Sequence, residues 1–344
     1  MPLKKYSRWI ASSILISILS IAVFLILTLD SDTINIAKEI RPGVILLALC
    51  IHMLSFVIWG MRTKSMASAL GYKIGFLTCL EIVISSTFVA AITPSSIGGE
   101  PLRIHLLNQN NMPVGSASAV VLGERLLDAT LILLAAPFSV HMFRILLSNS
   151  KLDFVLISGE ILLILCFSLL LYMVLMPQKM KYGVRAITYR LTHFLGGKAG
   201  FRIAKLSSSI DKELEEFRES LFVFFKEGKK GLFYGIIYTV IFWVVEFSML
   251  FVILLGFNQF PPIKLVFAAQ VLIIMIVVMP LTPGSSGVAE AAAMTLFSAF
   301  VPSSILGITV AAWRAFTFYV NLLLGGFVSF KLLKDTEWIH KYIK

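Results

Sequence analysis

Apolar residues run along this chain in blocks that are too long and too continuous for a soluble core. Six blocks of roughly 20 residues lie at about 10–29, 42–61, 116–137, 153–176, 232–256 and 304–330. At helical rise, about 20 residues cross the hydrocarbon of a bilayer. Lipid offers no water to backbone polar groups, so only helices or closed barrels span it. Barrel strands alternate apolar and polar positions, and these blocks do not. The pattern predicts an all-α, polytopic membrane bundle. The block at 10–29 is longer than a signal-peptide core and no A-x-A site follows, so it reads as a retained first span. Two further blocks, about 74–92 and 264–281, end in the same unusual way. Each runs into Thr-Pro, then a Ser/Gly stretch, then a short amphiphilic segment, which brings the apolar segments to eight.

Charge decides how those two blocks sit. If both cross fully, the segment 177–231 falls outside with 12 of the 30 Lys and Arg residues, against the positive-inside bias. If each enters, breaks at Thr-Pro and returns, the cytoplasmic side carries 23 Lys and Arg and the outside 5. The expectation is therefore six full spans plus two re-entrant hairpins in a single transmembrane domain over 1–344. Both termini are then cytoplasmic, in a multi-pass protein of the cell membrane. In this count Arg62, Lys64 and Lys73 belong to a cytoplasmic loop at 62–73. The net charge of +11 is thus topological and gives no reason to expect nucleic acid.

The hairpins resemble each other. Thr93, Pro94, Ser95, Ser96, Gly98, Gly99 and Glu100 in "TPSSIGGE" correspond to Thr282, Pro283, Gly284, Ser285, Ser286, Gly287 and Glu290 in "TPGSSGVAE". Pro94 stands 31 residues before Arg125, and Pro283 stands 31 before Arg314. Repeat 1 covers about 74–137 and repeat 2 about 264–330. In the derived topology they enter from opposite sides, an inverted arrangement associated with alternating-access transporters. Proline and glycine break each helix, and half-helices are expected to begin near Ser96 and Ser286. The free N–H groups and dipole of such an end suit an anion. Serine caps with a glutamate four residues on would also explain the pattern locally.

The segment "VVLGERLLDATLILL" sets Glu124, Arg125 and Asp128 within a span. Unpaired, these three would cost about 8–10 kcal/mol by insertion scales, so they are expected to pair and face inward. Arg125 reaches Asp128 at i,i+3, and Glu124 shares a face with Asp128. They form either a self-neutralising structural network or a polar pathway. In the second case Arg125 and Arg314 bind phosphate or carboxylate, and Glu124 or Asp128 carries protons. Arg103 is a further candidate for the headgroup site, or with His105 an interfacial anchor. Glu160 and Glu246 are lone acids positioned to bond a neighbouring helix, Glu81 lies near the cytoplasmic surface and His141 in an outer loop. Asn321 is a candidate for helix–helix bonding. The loop 177–231 carries an amphipathic pattern, with Ile210, Leu214, Phe217, Leu221 and Phe224 or Phe225 on one face.

Cys50, Cys79 and Cys166 lie in apolar blocks without CxxC spacing, so neither disulfide nor metal site is expected. Metalloprotease, serine-hydrolase, P-loop and dinucleotide motifs are absent. No enzyme activity and no cofactor are expected.

"TPSSIGGEPLR", "GERLLD", "PLTPGSSGVAEAA" and "AAWRAFTFYVNLLLGG" together resemble the flippase-like membrane family, also called the lysylphosphatidylglycerol synthase transmembrane region. The resemblance covers nearly the whole chain. It implies movement of lipid between leaflets. In bifunctional members the membrane part is thought to flip aminoacylated phosphatidylglycerol, and a separate soluble domain attaches the amino acid. Here "KLLKDTEWIHKYIK" follows the last span, so synthase activity is not expected. The second motif is more polar than the Gly-rich form of the family. The functional expectation is a flippase for an anionic phospho- or glycolipid, its headgroup passing a polar cavity. The alternatives are a non-transporting lipid-binding module serving a partner membrane enzyme, and a membrane lipid transferase. The lipid, direction, coupling ion and oligomeric state stay open.

Overall fold

The computed structural model describes residues 42–93, 98–147, 150–175, 229–277 and 284–335, together with Thr282 and a few residues within 216–224. The expected span at 10–29, Pro94, Ser95, Ser96 and Pro283 lie outside the described residues, as does most of the 177–231 loop. The described residues are helical without a strand. In chain order they form α1 (Pro42–Ala69), α2 (Phe76–Ile92), α3 (Gly99–Gln109), α4 (Val114–Leu147), α5 (Ser150–Leu175) and α6 (Lys229–Gly256). There follow α7 (Ile263–Val277), α8 (Val288–Phe297), α9 (Ser303–Arg314), a π-helical segment (Ala315–Val320) and α10 (Asn321–Asp335).

Among the described residues, four stretches are long and apolar enough to cross a membrane: Gly43–Ala69, Val114–Leu146, Lys230–Gly256 and Ser303–Leu332. The expected span 153–176 falls on α5, and the two broken blocks fall on α2 and α7. Large apolar side chains such as Leu77, Leu134, Phe138, Phe154 and Phe327 stand exposed on this scaffold. In a membrane protein such positions face lipid, which is as apolar as they are.

Two boundaries differ from the sequence expectation in ways that matter. α1 continues to Ala69, so Arg62 is a helical residue with no exposure at all, not part of a loop. The half-helices begin at Gly99 and Val288, two to three residues later than expected. Their N-caps are Gly98 and Gly287, and no described serine side chain caps either end. His141, placed by sequence in an outer loop, is an exposed residue of α4.

α1 and α6 run antiparallel, as their polar crosslinks show: His52 meets Glu246, while Arg62 meets Thr239. The two motif-bearing regions pack reciprocally. α2 of the first lies against α10 of the second, and α7 of the second lies against α4 of the first. Each broken block also packs on its own half-helix, α2 on α3 and α7 on α8. Phe217 and Phe224, from the expected amphipathic segment, are buried with Leu106, Leu107 and Ala117. Ser220 in the same segment donates to Ser116 at 2.9 Å.

Candidate functional site

The two breaks touch. The amide of Gly284 donates to the carbonyl of Thr93 at 3.0 Å, joining the end of α2 to the approach of α8. Gly284 has φ +54°, and a Cβ there would fall 2.3 Å from the Ala91 carbonyl oxygen. Only glycine meets both the left-handed conformation and the close approach. Ser285 also takes a left-handed φ, of +54°, and Gly287 one of +85°. These turns re-aim the chain into α8.

Several described backbone donors at the breaks find partners within the protein, as buried amides must. Thr93 Oγ1 donates to Val89 and accepts from the Gly98 amide, both at 2.9 Å. Ser285 N–H donates to Thr282, and Gly287 N–H donates to the Glu290 carboxylate at 2.7 Å. The anion at the positive end of α8 is therefore its own Glu290. Glu100 holds the matching place in the first turn of α3. The serine-cap explanation fails for the described serines: Ser285 Oγ donates to Val277 O at 3.3 Å, and Ser286 Oγ faces Arg314.

Each of these glutamates meets the arginine that follows it in the chain. Glu100 lies 2.8 Å from Arg125 Nε, and Glu290 lies 2.9 Å from Arg314 Nε. Arg314 also donates to the Gly284 carbonyl at 3.0 Å and sits over Phe318 at 4.4 Å. The arginine thus ties α9 to both sides of the second break.

Repeat 1 adds a larger network. Arg62 donates to Asp128 at 2.7 Å, to Glu124 at 3.3 Å and to Thr239 at 3.1 Å. Arg103 is fully buried, so it is not an interfacial anchor; it pairs with Glu124 and donates to Thr63 at 3.1 Å. Glu124 further accepts from Thr63 at 2.7 Å and from the Trp59 indole at 3.0 Å. Asp128 accepts from Arg125 at 3.2 Å, the i,i+3 pair expected from sequence, and from Trp243 at 3.0 Å. The Trp59 ring is surrounded by the guanidinium groups of Arg62, Arg103 and Arg125, 5.1–5.9 Å from its centroid. Three arginines thus balance Glu100, Glu124 and Asp128, and Arg314 balances Glu290.

Between these groups lies a cavity of about 480 Å³. Gly99, Glu100, Arg125 and Trp59 line it from the first repeat and α1, and Gly284, Ser285, Arg314 and Asn321 line it from the second. Ile273, Ile274 and Val277 supply apolar wall. Two other cavities, of about 350 and 370 Å³, have almost entirely apolar linings. Behind the polar wall His52 bonds Asn321 at 2.8 Å and faces Glu246 at 3.4 Å, so Asn321 does bridge helices. Glu81 pairs with Lys331.

Sequence reasoning missed Trp59, Arg62, Thr63, Thr239 and Trp243. A signal was present for α1: His52, Ser55, Trp59, Arg62 and Thr63 recur at helical spacing through an otherwise apolar block. No metal-binding group of His, Cys, Asp and Glu occurs among the described residues.

Comparison with known proteins covers nearly the whole chain. A UPF0104 membrane protein of Archaeoglobus fulgidus is 31% identical over 324 residues, spanning 94% of this chain and 97% of the relative. Proteins of the same designation from Pyrococcus horikoshii and Methanocaldococcus jannaschii are 26% and 25% identical. They span 87% and 85% of this chain, and 90% and 85% of their own lengths. The profile of the lysylphosphatidylglycerol synthase TM region matches residues 10–325. With the paired breaks and their arginines in place over that length, the chain belongs to the lysylphosphatidylglycerol synthase transmembrane-region family.

Proposed function

We propose that this protein moves an anionic phospho- or glycolipid between leaflets, the headgroup passing through the cavity at the two breaks while the tails stay in the bilayer. The observation that carries this reading is a 480 Å³ cavity bounded by both breaks and by both repeat arginines. Non-helical backbone at membrane depth is tolerated where protein buries it or a watery cavity meets it. Guanidinium groups suit phosphate and carboxylate through paired donors. A volume of this size falls in the range of small-molecule sites, about 300–1,000 Å³.

In this reading α2–α3 and α7–α8 are re-entrant hairpins of inverted repeats, among six full spans, and both termini face the cytoplasm. The reciprocal packing of the repeats supports it. The charge bias between 177–231 and the outer loops supports the orientation in a plasma membrane. The chain carries no nucleotide-hydrolysis motif, so the drive is a gradient or consumption of the lipid on one side, and the reading assigns no bond-making chemistry to the protein.

The test is leaflet exchange of a panel of labelled anionic lipids in proteoliposomes, comparing wild type with Arg125→Ala plus Arg314→Ala, both monodisperse before reconstitution. Exchange lost in the double variant is the expected result. Equal exchange makes the arginines structural. Wild-type exchange no faster than in protein-free vesicles, with lipid still bound, turns the site into a binding module for a partner enzyme.

A further inference from the structure

The cavity wall and the ion pairs directly behind it are together electroneutral, and that constrains how an anion enters. Both arginines that line the cavity are matched by carboxylates, Arg125 by Glu100 and Asp128 and Arg314 by Glu290; behind the wall Arg62 pairs with Glu124 and Asp128, and Arg103 with Glu124. Adding one uncompensated negative charge to a lipid-embedded cavity is costly. A bound anionic headgroup must therefore displace a carboxylate, and the displaced group must lose its charge.

The carboxylates are not equally replaceable. Glu124 is unexposed and accepts from Trp59, Arg62, Thr63 and Arg103. Asp128 accepts from Arg62, Arg125 and Trp243. Glu290 is unexposed and holds Arg314 and the Gly287 amide. Glu100 meets Arg125 through Oε1, while its Oε2 has no hydrogen-bond partner among the described residues. Its side chain is 24% exposed, that of Arg125 is 32% exposed, and both line the cavity. The pair that can open is the one that faces the headgroup.

We infer that Glu100 takes up one proton as the anionic headgroup replaces it on Arg125, so that lipid and proton cross the membrane together. The inference rests on the lipid-moving reading above. The balance is simple: the Glu100 carboxylate plus a proton from the aqueous side gives the neutral acid, the headgroup supplies the negative charge that Arg125 needs, and both leave on the other side. The charged groups around Glu100 are Arg125, Glu124 and Asp128 on α4, Arg103 on α3, Arg62 on α1 and Arg314 across the cavity. Glu81, the one acid of α2, is bound to Lys331. His52 and Glu246 stand behind Asn321 and outside the lining.

The experiment uses the full chain in phosphatidylcholine vesicles carrying the fastest-exchanging anionic lipid of the panel in the outer leaflet only, with a pH-sensitive dye inside. Wild type is expected to acidify the lumen as lipid moves inward. Its rate should rise about tenfold as the outside pH is lowered from roughly 8 to 6, because the outside proton is a co-substrate of the movement. In Glu100→Gln the lumen pH holds and whatever exchange remains is flat across pH. Wild-type lipid movement without lumen acidification overturns the proton step and leaves the lipid-moving reading standing. Lumen acidification persisting in Glu100→Gln also overturns it, by moving the proton to another group. No lipid movement in wild type overturns both.

Discussion

The two Thr-Pro motif regions place a glutamate and an arginine in the same relation, yet they surround that pair differently. In the first, Glu100–Arg125 is partly open to the cavity, and Arg125 continues through Asp128 into a buried network that reaches α1, α3 and α6. In the second, Glu290–Arg314 is buried and has no comparable ion-pair network around it among the described residues. The positions matching Glu124, Asp128 and Arg103 are Trp313, Thr317 and Ala293. One shared device therefore serves two ends. Surplus charge in repeat 1 braces the helices behind an accessible pair. Repeat 2 instead uses its arginine to hold the break itself, through the Gly284 carbonyl. A π-helical segment follows Arg314 directly, a feature often met at functional sites.

The sharpest way to break this comparison is to remove one arginine from each side. Arg62→Met leaves Glu124 and Asp128 each short of a buried cation, and about 3–5 kcal/mol of stability should be lost. Arg314→Met takes the cation from Glu290 alone, which keeps the Gly287 amide, and about 2–3 kcal/mol should be lost. Adding Glu290→Gln to Arg314→Met should recover part of that loss. Adding Glu124→Gln to Arg62→Met should recover less, because Asp128 remains charged. Unfolding midpoints in detergent measure all four. Equal losses for the two arginines would mean that the larger network braces nothing.

These arginines also mark how far the sequence could be read. The break positions, the Glu and Arg of each repeat, the Arg125–Asp128 pair and the bridging role of Asn321 follow from local patterns: proline with glycine, i,i+3 spacing, and a polar residue inside an apolar block. Family membership followed from the order of the motifs. Arg62 did not follow, because a basic residue at the end of an apolar run is what a cytoplasmic loop also looks like. Its partners, Asp128 and Thr239, lie 66 and 177 residues away, and only tertiary packing brings them together. The start of each half-helix was displaced for a related reason. Serine is a good cap in isolation, but here glycine takes both N-cap positions, and Thr93 and Glu290 accept from the amides of those glycines.

A smaller effect separates the breaks themselves. In Gly284→Ala the new methyl meets the Ala91 carbonyl and the Phe318 ring, at a left-handed φ that disfavours alanine. The cost should be about 1–3 kcal/mol, because backbone must move. In Gly98→Ala the methyl meets only side-chain atoms, of Thr93 and Val89, and φ is an ordinary −69°. That cost should be less than half as large. A loss in Gly98→Ala as large as that in Gly284→Ala would show that the first break is packed as tightly as the second.

The smallest effect belongs to a close ion pair at the surface. Lys331 Nζ lies 2.6 Å from Glu81, closer than Arg125 to Glu100 or Arg314 to Glu290, but its side chain is 55% exposed. Exposed ion pairs gain little over hydration and lose side-chain freedom, so Lys331→Ala should change stability by about 0–1 kcal/mol. If it cost as much as Arg314→Met, separation rather than burial would set the worth of an ion pair in this protein. The contrast between a braced repeat and an unbraced one would then lose its physical basis, since that contrast depends on charges withdrawn from water and held there by several donors at once.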